Sequence, residues 1–151
     1  MFLLCYRNLQ RRGLSSNEIK EIIKNGFDDW LKINSDNASH KDENTWHLKM
    51  CTRQEAEALL ANKPTGTFLI RPSSSGDYAL SIACNGVTNH CIIYETETGF
   101  FGFAIPYSIH DSLKSLVLHY AQSSLEEHND LLQTELKYPV LSNYIKNLPN
   151  N

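Results

Sequence analysis

Arg71 is the residue whose type and placement most plainly ask for chemistry. It closes the run Thr67-Phe68-Leu69-Ile70, whose apolar, β-rich members are built for burial. A guanidinium left unpaired in such surroundings costs several kcal/mol, so it wants an anion, and no carboxylate lies beside it in the chain. An internal salt bridge with a distant acid is one answer. The next segment offers another, because Ser73, Ser74, Ser75 and Gly76 bring hydroxyls and unhindered backbone amides into one short turn. An arginine fork beside such a nest points to phosphate, although serine-rich turns are commonly only solvated. Arg53 and His90 are two further candidates for the same place. Each has an ordinary reading beside it: a solvated charge near a helix start, and a satisfied histidine on a strand.

Other chemistries fit less well. A tyrosine phosphatase uses a histidine-cysteine pair with an arginine six residues after the cysteine, whereas His90-Cys91 has Glu97 there, a carboxylate that would repel the substrate. No glycine-rich loop follows Cys91, and the alternating pattern places it inside a strand. Cys84, His90 and Cys91 lack a fourth metal ligand at usual spacing, and His119 and His128 have no patterned partners. Gly99 and Gly102 flank aromatics instead of opening a helix around a nucleotide. The expectation is binding without catalysis, with no catalytic residue, no metal and no cofactor.

The elements that must position these residues are well punctuated. Thr52 as N-cap with Glu55 three residues on signals a helix whose core face is Ala56, Leu59 and Leu60, ended by Lys63-Pro64-Thr65-Gly66. Thr67 to Arg71 reads as a central strand and Tyr78 to Cys84 alternates as a second. Asn85-Gly86 is a strong hairpin signal leading into a third strand from Thr88 to Tyr94. Phe100 to Phe103 adds a short strand, and Asp111 to Tyr120, with Leu113, Leu116, Val117 and Tyr120 at helical spacing, predicts the last helix. A long loop with a closing strand runs on to Val140. Upstream, Ser15 with Glu18 fits a capping box, and Ile19, Ile22, Ile23, Phe27, Trp30 and Leu31 form an apolar helical stripe, suited equally to its own domain or another subunit. Asn34 to Asn44 is polar and reads as a linker.

Composition bounds the partners. The 151 residues, 41% hydrophobic, hold one ordinary domain and a short appendage. A net charge of -3 offers no basic excess for nucleic acid or anionic lipid. The apolar opening from Met1 to Cys5 is too short for a signal h-region or a membrane span, so a cytoplasmic protein without membrane insertion is expected. Four cysteines without C-x-x-C spacing read as reduced, mostly buried thiols.

Trp46, Arg53 with Ala56-Glu57 and Leu59-Leu60, Gly66 to Arg71, Tyr78 to Ser81 and His90, taken together, resemble the Src-homology-2 (SH2) pattern over Trp46 to Val140. The resemblance implies an α+β fold, a central antiparallel sheet flanked by two helices, here preceded by an N-terminal helical segment. It divides the chain into a helical segment at 1–32, a polar linker at 33–44, the SH2 domain at 45–140 and a tail at 141–151. It implies phosphotyrosine binding in which Arg71 grips the phosphate bidentately, Arg53 assists, Ser73, Ser74 and Ser75 donate to phosphate oxygens, and His90 braces the pocket. Pro72 departs from the family, which often has an acidic residue there, and the phosphate loop lacks a lysine. Ile92 replaces a lysine common in kinase-type members, leaving Arg53 as the only second cation.

A narrower resemblance rests on Asn89 to Ile93, Gly102-Phe103-Ala104, Pro106-Tyr107, Ser112 to Lys114, Leu116 to Tyr120, Ser124-Leu125, His128-Asn129-Asp130 and Tyr138-Pro139-Val140. These look like the C-terminal SH2 domain of class IA phosphoinositide 3-kinase regulatory subunits. Methionine three residues after the phosphotyrosine is then the preferred ligand, entering a second pocket of Cys91, Phe103, Tyr120, Asn129 and Leu132, with Ser123 to Gln133 as its far wall. Simple core packing is the alternative for each. Tyr6, Leu9, Gly13 and Trp30-Leu31 resemble more loosely the end of the coiled coil that holds the catalytic subunit. The partners implied are tyrosine-phosphorylated receptors or adaptors at the plasma membrane, as in receptor kinase and insulin signalling, and that catalytic subunit. A stand-alone SH2 adaptor without a kinase partner is the rival, and a module that has lost phosphate binding a third reading.

Overall fold

The structure, a computed structural model, describes residues 39–149 together with Gly13, Ser15 and Asn17. The chain divides into two compact units, Met1–Ser35 and Asp36–Asn151. The apolar stripe expected between Ser15 and Leu31, and the resemblance to a coiled coil, lie outside the described residues.

In the second unit, helix α1 (Arg53–Leu60) precedes strands β1 (Thr67–Pro72), β2 (Tyr78–Cys84), β3 (Val87–Glu95) and β4 (Phe101–Gly102). Helix α2 (Leu113–Tyr120), the two-residue strand β5 (Tyr138–Pro139) and the one-turn helix α3 (Asn143–Lys146) complete it. The sheet order is β4-β3-β2-β1-β5. β1 to β4 pair antiparallel, while β5 runs parallel to β1, so the sheet is antiparallel at its centre and mixed at one edge.

Local chemistry sets the boundaries. Thr52 caps α1 by accepting from the Glu55 amide at 3.1 Å, and Ser112 caps α2 through the Ser115 amide at 2.9 Å. Asn85 and Gly86 have φ of 53° and 80°, the two left-handed residues that a tight hairpin between β2 and β3 requires. Gly66, with φ 98°, enters β1 under Lys137, and a Cβ there would lie 2.8 Å from the lysine side chain.

Two apolar clusters cover the two faces of the sheet. Phe68, Ile70, Leu80, Ile82 and Ile93 pack with Trp46, Leu116 and Val117 on the α2 side. Leu69 and Ala83 pack with Ala56 and Leu60 on the α1 side. Leu59, expected on the core face, is 39% exposed, because α1 buries only a narrow stripe. The described part of the expected linker is also folded onto the domain. His40 is buried with its Nε2 2.6 Å from the Leu136 carbonyl oxygen, and the Trp46 indole donates to the His40 carbonyl at 2.8 Å. Past Val140, α3 buries Ile145 and is capped by Ser142, so the expected tail contributes to the core.

Candidate functional site

Strand alternation gathers the candidates. Arg71 shares a face of β1 with Leu69, the α1 side, and the register sets Leu69 opposite Ser81 and Ser81 opposite His90. Arg71, Ser81 and His90 therefore meet beneath the N-terminal turn of α1, which carries Arg53. The Arg71 Nε donates to Ser81 Oγ at 3.0 Å. One terminal nitrogen reaches the Pro72 carbonyl at 3.3 Å and the other lies 3.2 Å from His90 Nδ1. Ser81 Oγ is 2.8 Å from the same Nδ1, and His90 Nε2 is 3.0 Å from Glu57 Oε1.

Arg71 is 6% exposed, yet among the described residues no carboxylate stands within ion-pair distance of it. The internal salt bridge allowed by the sequence is not formed there. A guanidinium carries five N–H donors. Three are used internally, which leaves one on each terminal nitrogen for a ligand. Burial, and then repulsion by Arg53, hold the Arg71 pKa below its ordinary value. An incoming anion favours the charged guanidinium and so offsets both effects.

Arg71 lies on the wall of a cavity of about 600 Å³, with Arg53, Ser73, Ser74, Ser75 and His90 also lining it. In the loop the Ser73 and Ser75 hydroxyls are 2.9 Å apart, and the Ser73 hydroxyl accepts from the Ser75 amide at 3.3 Å. Gly76, at φ 98°, turns the chain back so that the Asp77 carbonyl accepts from the Ser73 amide. Arg53 is largely exposed and pairs with Glu57 at 3.5 Å, a contact one helical turn long that holds it near the cavity but contributes little to stability. Pro72 and Ile92 also line the cavity. Arg53 is not the only second cation, as Lys49 from the loop before α1 lines the same space.

Ser81 and Glu57 join the contacts around Arg71 and His90, and sequence reasoning did not single them out as site residues. A serine inside the apolar alternation of β2 was the signal for Ser81, and the helical spacing from Arg53 was the signal for Glu57.

Phe103, Tyr120 and Leu132, expected in a second pocket, belong to the cluster on the opposite face, whereas Cys91 packs against that cluster and also lines the Arg71 cavity. Cys91 stands opposite Leu80 and packs against the α2-side cluster together with Tyr120. Phe103 meets Tyr120 edge-on at 5.1 Å and stacks on His128 at 5.0 Å. Leu132, expected as a pocket wall, is fully buried in the core, because Asn129 turns the loop with its Oδ1 accepting from the Leu131 amide at 3.0 Å. Leu131 points outward instead, 78% exposed.

Burial holds four histidines, His47, His90, His110 and His128, below their ordinary pKa of 6.5. The unfolded chain then binds more protons than the folded one as pH falls, so stability is fully present above about 6.5 and is lost as pH drops through 6.5 toward the folded values. Melting followed by circular dichroism should give a lower Tm at pH 5.5 than at pH 7.5. A Tm that is flat or higher at pH 5.5 contradicts this burial effect.

A family model described as the SH2 domain matches residues 46–120. The hematopoietic SH2 domain-containing protein of Mus musculus is 34% identical over 88 residues, 58% of this chain and 26% of that protein. Suppressor of cytokine signaling 6 of Homo sapiens is 34% identical over 109 residues, 70% of this chain and 20% of that protein. The chain thus spans about a fifth to a quarter of the length of these curated relatives. Among solved structures, the SH2 domain of human VAV1 matches with a TM-score of 0.58 and 31% identity, covering 65% of this chain and 71% of that one. The VAV1 SH2 domain complexed with a tyrosine-phosphorylated peptide from SLP76 matches with a TM-score of 0.60 and 28% identity, covering 71% and 78%.

Proposed function

The chain belongs to the SH2 domain family, and on that premise we propose that it is a non-catalytic module that binds tyrosine-phosphorylated peptides in the Arg71 cavity. One observation carries the reading: a nearly buried arginine without a carboxylate partner among the described residues keeps an N–H on each terminal nitrogen beside a serine loop. A phosphotyrosine phosphate brings about -1.5 to -2 charges and three acceptor oxygens. Arg71 takes two of those oxygens with its planar fork, Arg53 and Ser73, Ser74 and Ser75 take the remaining acceptor sites, and His90 holds Arg71 in place. The peptide then crosses the sheet toward the α2 side in extended form. Charge-assisted bonds of about 1.5 to 3 kcal/mol each, opposed by association entropy, give an affinity near micromolar, about -8 kcal/mol.

The relatives named above favour a stand-alone SH2 module, since none of them is a phosphoinositide 3-kinase regulatory subunit. Selection of methionine three residues after the phosphotyrosine is the finer reading, supported by a small half-buried Cys91 beside Phe103 and Tyr120. Recruitment to phosphorylated receptors or adaptors follows from the same binding. Calorimetric titration with a phosphotyrosine peptide carrying that methionine, its unphosphorylated form and its methionine-to-alanine form tests both levels. Phosphate-dependent micromolar binding is expected, weakened several-fold by the alanine. Equal affinity for the methionine and alanine peptides removes the methionine reading alone, and absence of binding to any phosphopeptide removes the proposal.

A further inference from the structure

Two ends of one imidazole agree on a tautomer. The Arg71 guanidinium can only donate, so its 3.2 Å contact makes His90 Nδ1 an acceptor. Nδ1 also lies 2.8 Å from Ser81 Oγ, which already accepts from Arg71 Nε and is left with its own proton to give. At the other end Nε2 stands 3.0 Å from Glu57 Oε1, and a carboxylate only accepts, so the proton sits on Nε2. The charged groups facing His90 are Arg53 and Glu57 from α1 and Arg71 from β1. The hydrogen bond from His90 in turn holds the Glu57 carboxyl below its ordinary range.

We propose that Glu57 is a positioning residue of the phosphate site, holding His90 in its Nε2–H form so that Nδ1 remains the acceptor that orients Arg71 and Ser81. This rests on the phosphate-binding reading above. Glu57 itself is absent from the cavity wall and acts through His90. In the other tautomer an Nδ1–H would point at the Arg71 terminal N–H, which can only donate, and the Ser81 hydroxyl would have to turn from donor to acceptor. The ring would turn away and Arg71 would lose a support. The dependence of one ring nitrogen on the partner of the other is a general property of histidine, and removal of such an outer partner commonly costs about 10- to 100-fold in metal affinity or activity where a histidine serves a metal.

The test compares Glu57→Ala and Glu57→Gln in the full chain, with Glu55→Ala as a control that removes the same charge from the same helix. Side-chain nitrogen NMR of His90 without ligand reads the tautomer, and calorimetry with a phosphotyrosine peptide reads affinity. Glu57→Ala should shift His90 toward the Nδ1–H form and weaken binding about three- to tenfold. Glu57→Gln, whose amide oxygen still accepts from Nε2–H, should retain the tautomer and bind within about threefold of the parent, and Glu55→Ala should change neither. An unchanged His90 tautomer in Glu57→Ala overturns the inference, as does parental affinity in that variant. The NMR reading requires no ligand, so it stands even if no phosphopeptide binds, which would count against the functional reading alone.

Discussion

Arg71→Lys should weaken phosphotyrosine-peptide binding about 100-fold, from near micromolar to roughly 0.1 mM, a loss of about 3 kcal/mol. The charge survives the change, so the loss reports geometry. Arg71 uses Nε on Ser81 and one terminal nitrogen beside His90 to lock the plane of its fork, and in the proposed mode the remaining terminal N–H groups donate to two phosphate oxygens. An ammonium presents a single point of donors on a shorter stem. It also leaves Ser81 and the His90 Nδ1 without the partner that aligned them. Calorimetry on both proteins checks this, with circular dichroism to show that the fold persists. Affinity for Arg71→Lys within threefold of the parent would refute the assignment of the pocket.

Trp46→Ala should cost about 4 kcal/mol of folding stability, a large share of the 5 to 15 kcal/mol available to an ordinary domain. Trp46 has no exposed surface, sits in the α2-side cluster and gives its indole proton to the His40 carbonyl. Its own carbonyl accepts from the Ile70 amide at 2.7 Å, one residue before Arg71. Truncation therefore opens a cavity and also removes the indole donor that the His40 carbonyl accepts from. Urea denaturation reads the change. Leu59→Ala, on the exposed side of α1, should cost under about 1 kcal/mol by comparison. A loss below about 1 kcal/mol for Trp46→Ala would mean that the segment before α1 is not part of the core.

Periodicity made most of the second unit legible. Alternation over Tyr78 to Cys84, the Asn85-Gly86 turn and the capped pattern from Thr52 each describe a local preference that the observed β2, hairpin and α1 satisfy. Period two also puts Leu69 and Arg71 on one face of β1, so the sequence marked the arginine as a buried charge wanting an anion. Glu57 and Ser81 carried only local signals and Lys49 none, because their places in the site arise where separate elements meet: α1 over β3, β2 against β1 and the Lys49 loop over the cavity.

The same division explains the misplacements. Polar composition up to Asn44, and a resemblance that ends at Val140, suggested chain outside the domain on both sides, but His40 finds the Leu136 carbonyl and Ile145 finds the core. Leu132 and Leu131 are alike in composition, and only the Asn129 turn decides which of them is buried. Residue type and spacing determined which segments become strands and helices and which arginine is set apart, since those follow from contacts within a few residues. Tertiary structure alone decided which charges face one cavity and which groups flank the two nitrogens of His90, because those depend on the register and packing of elements distant in sequence.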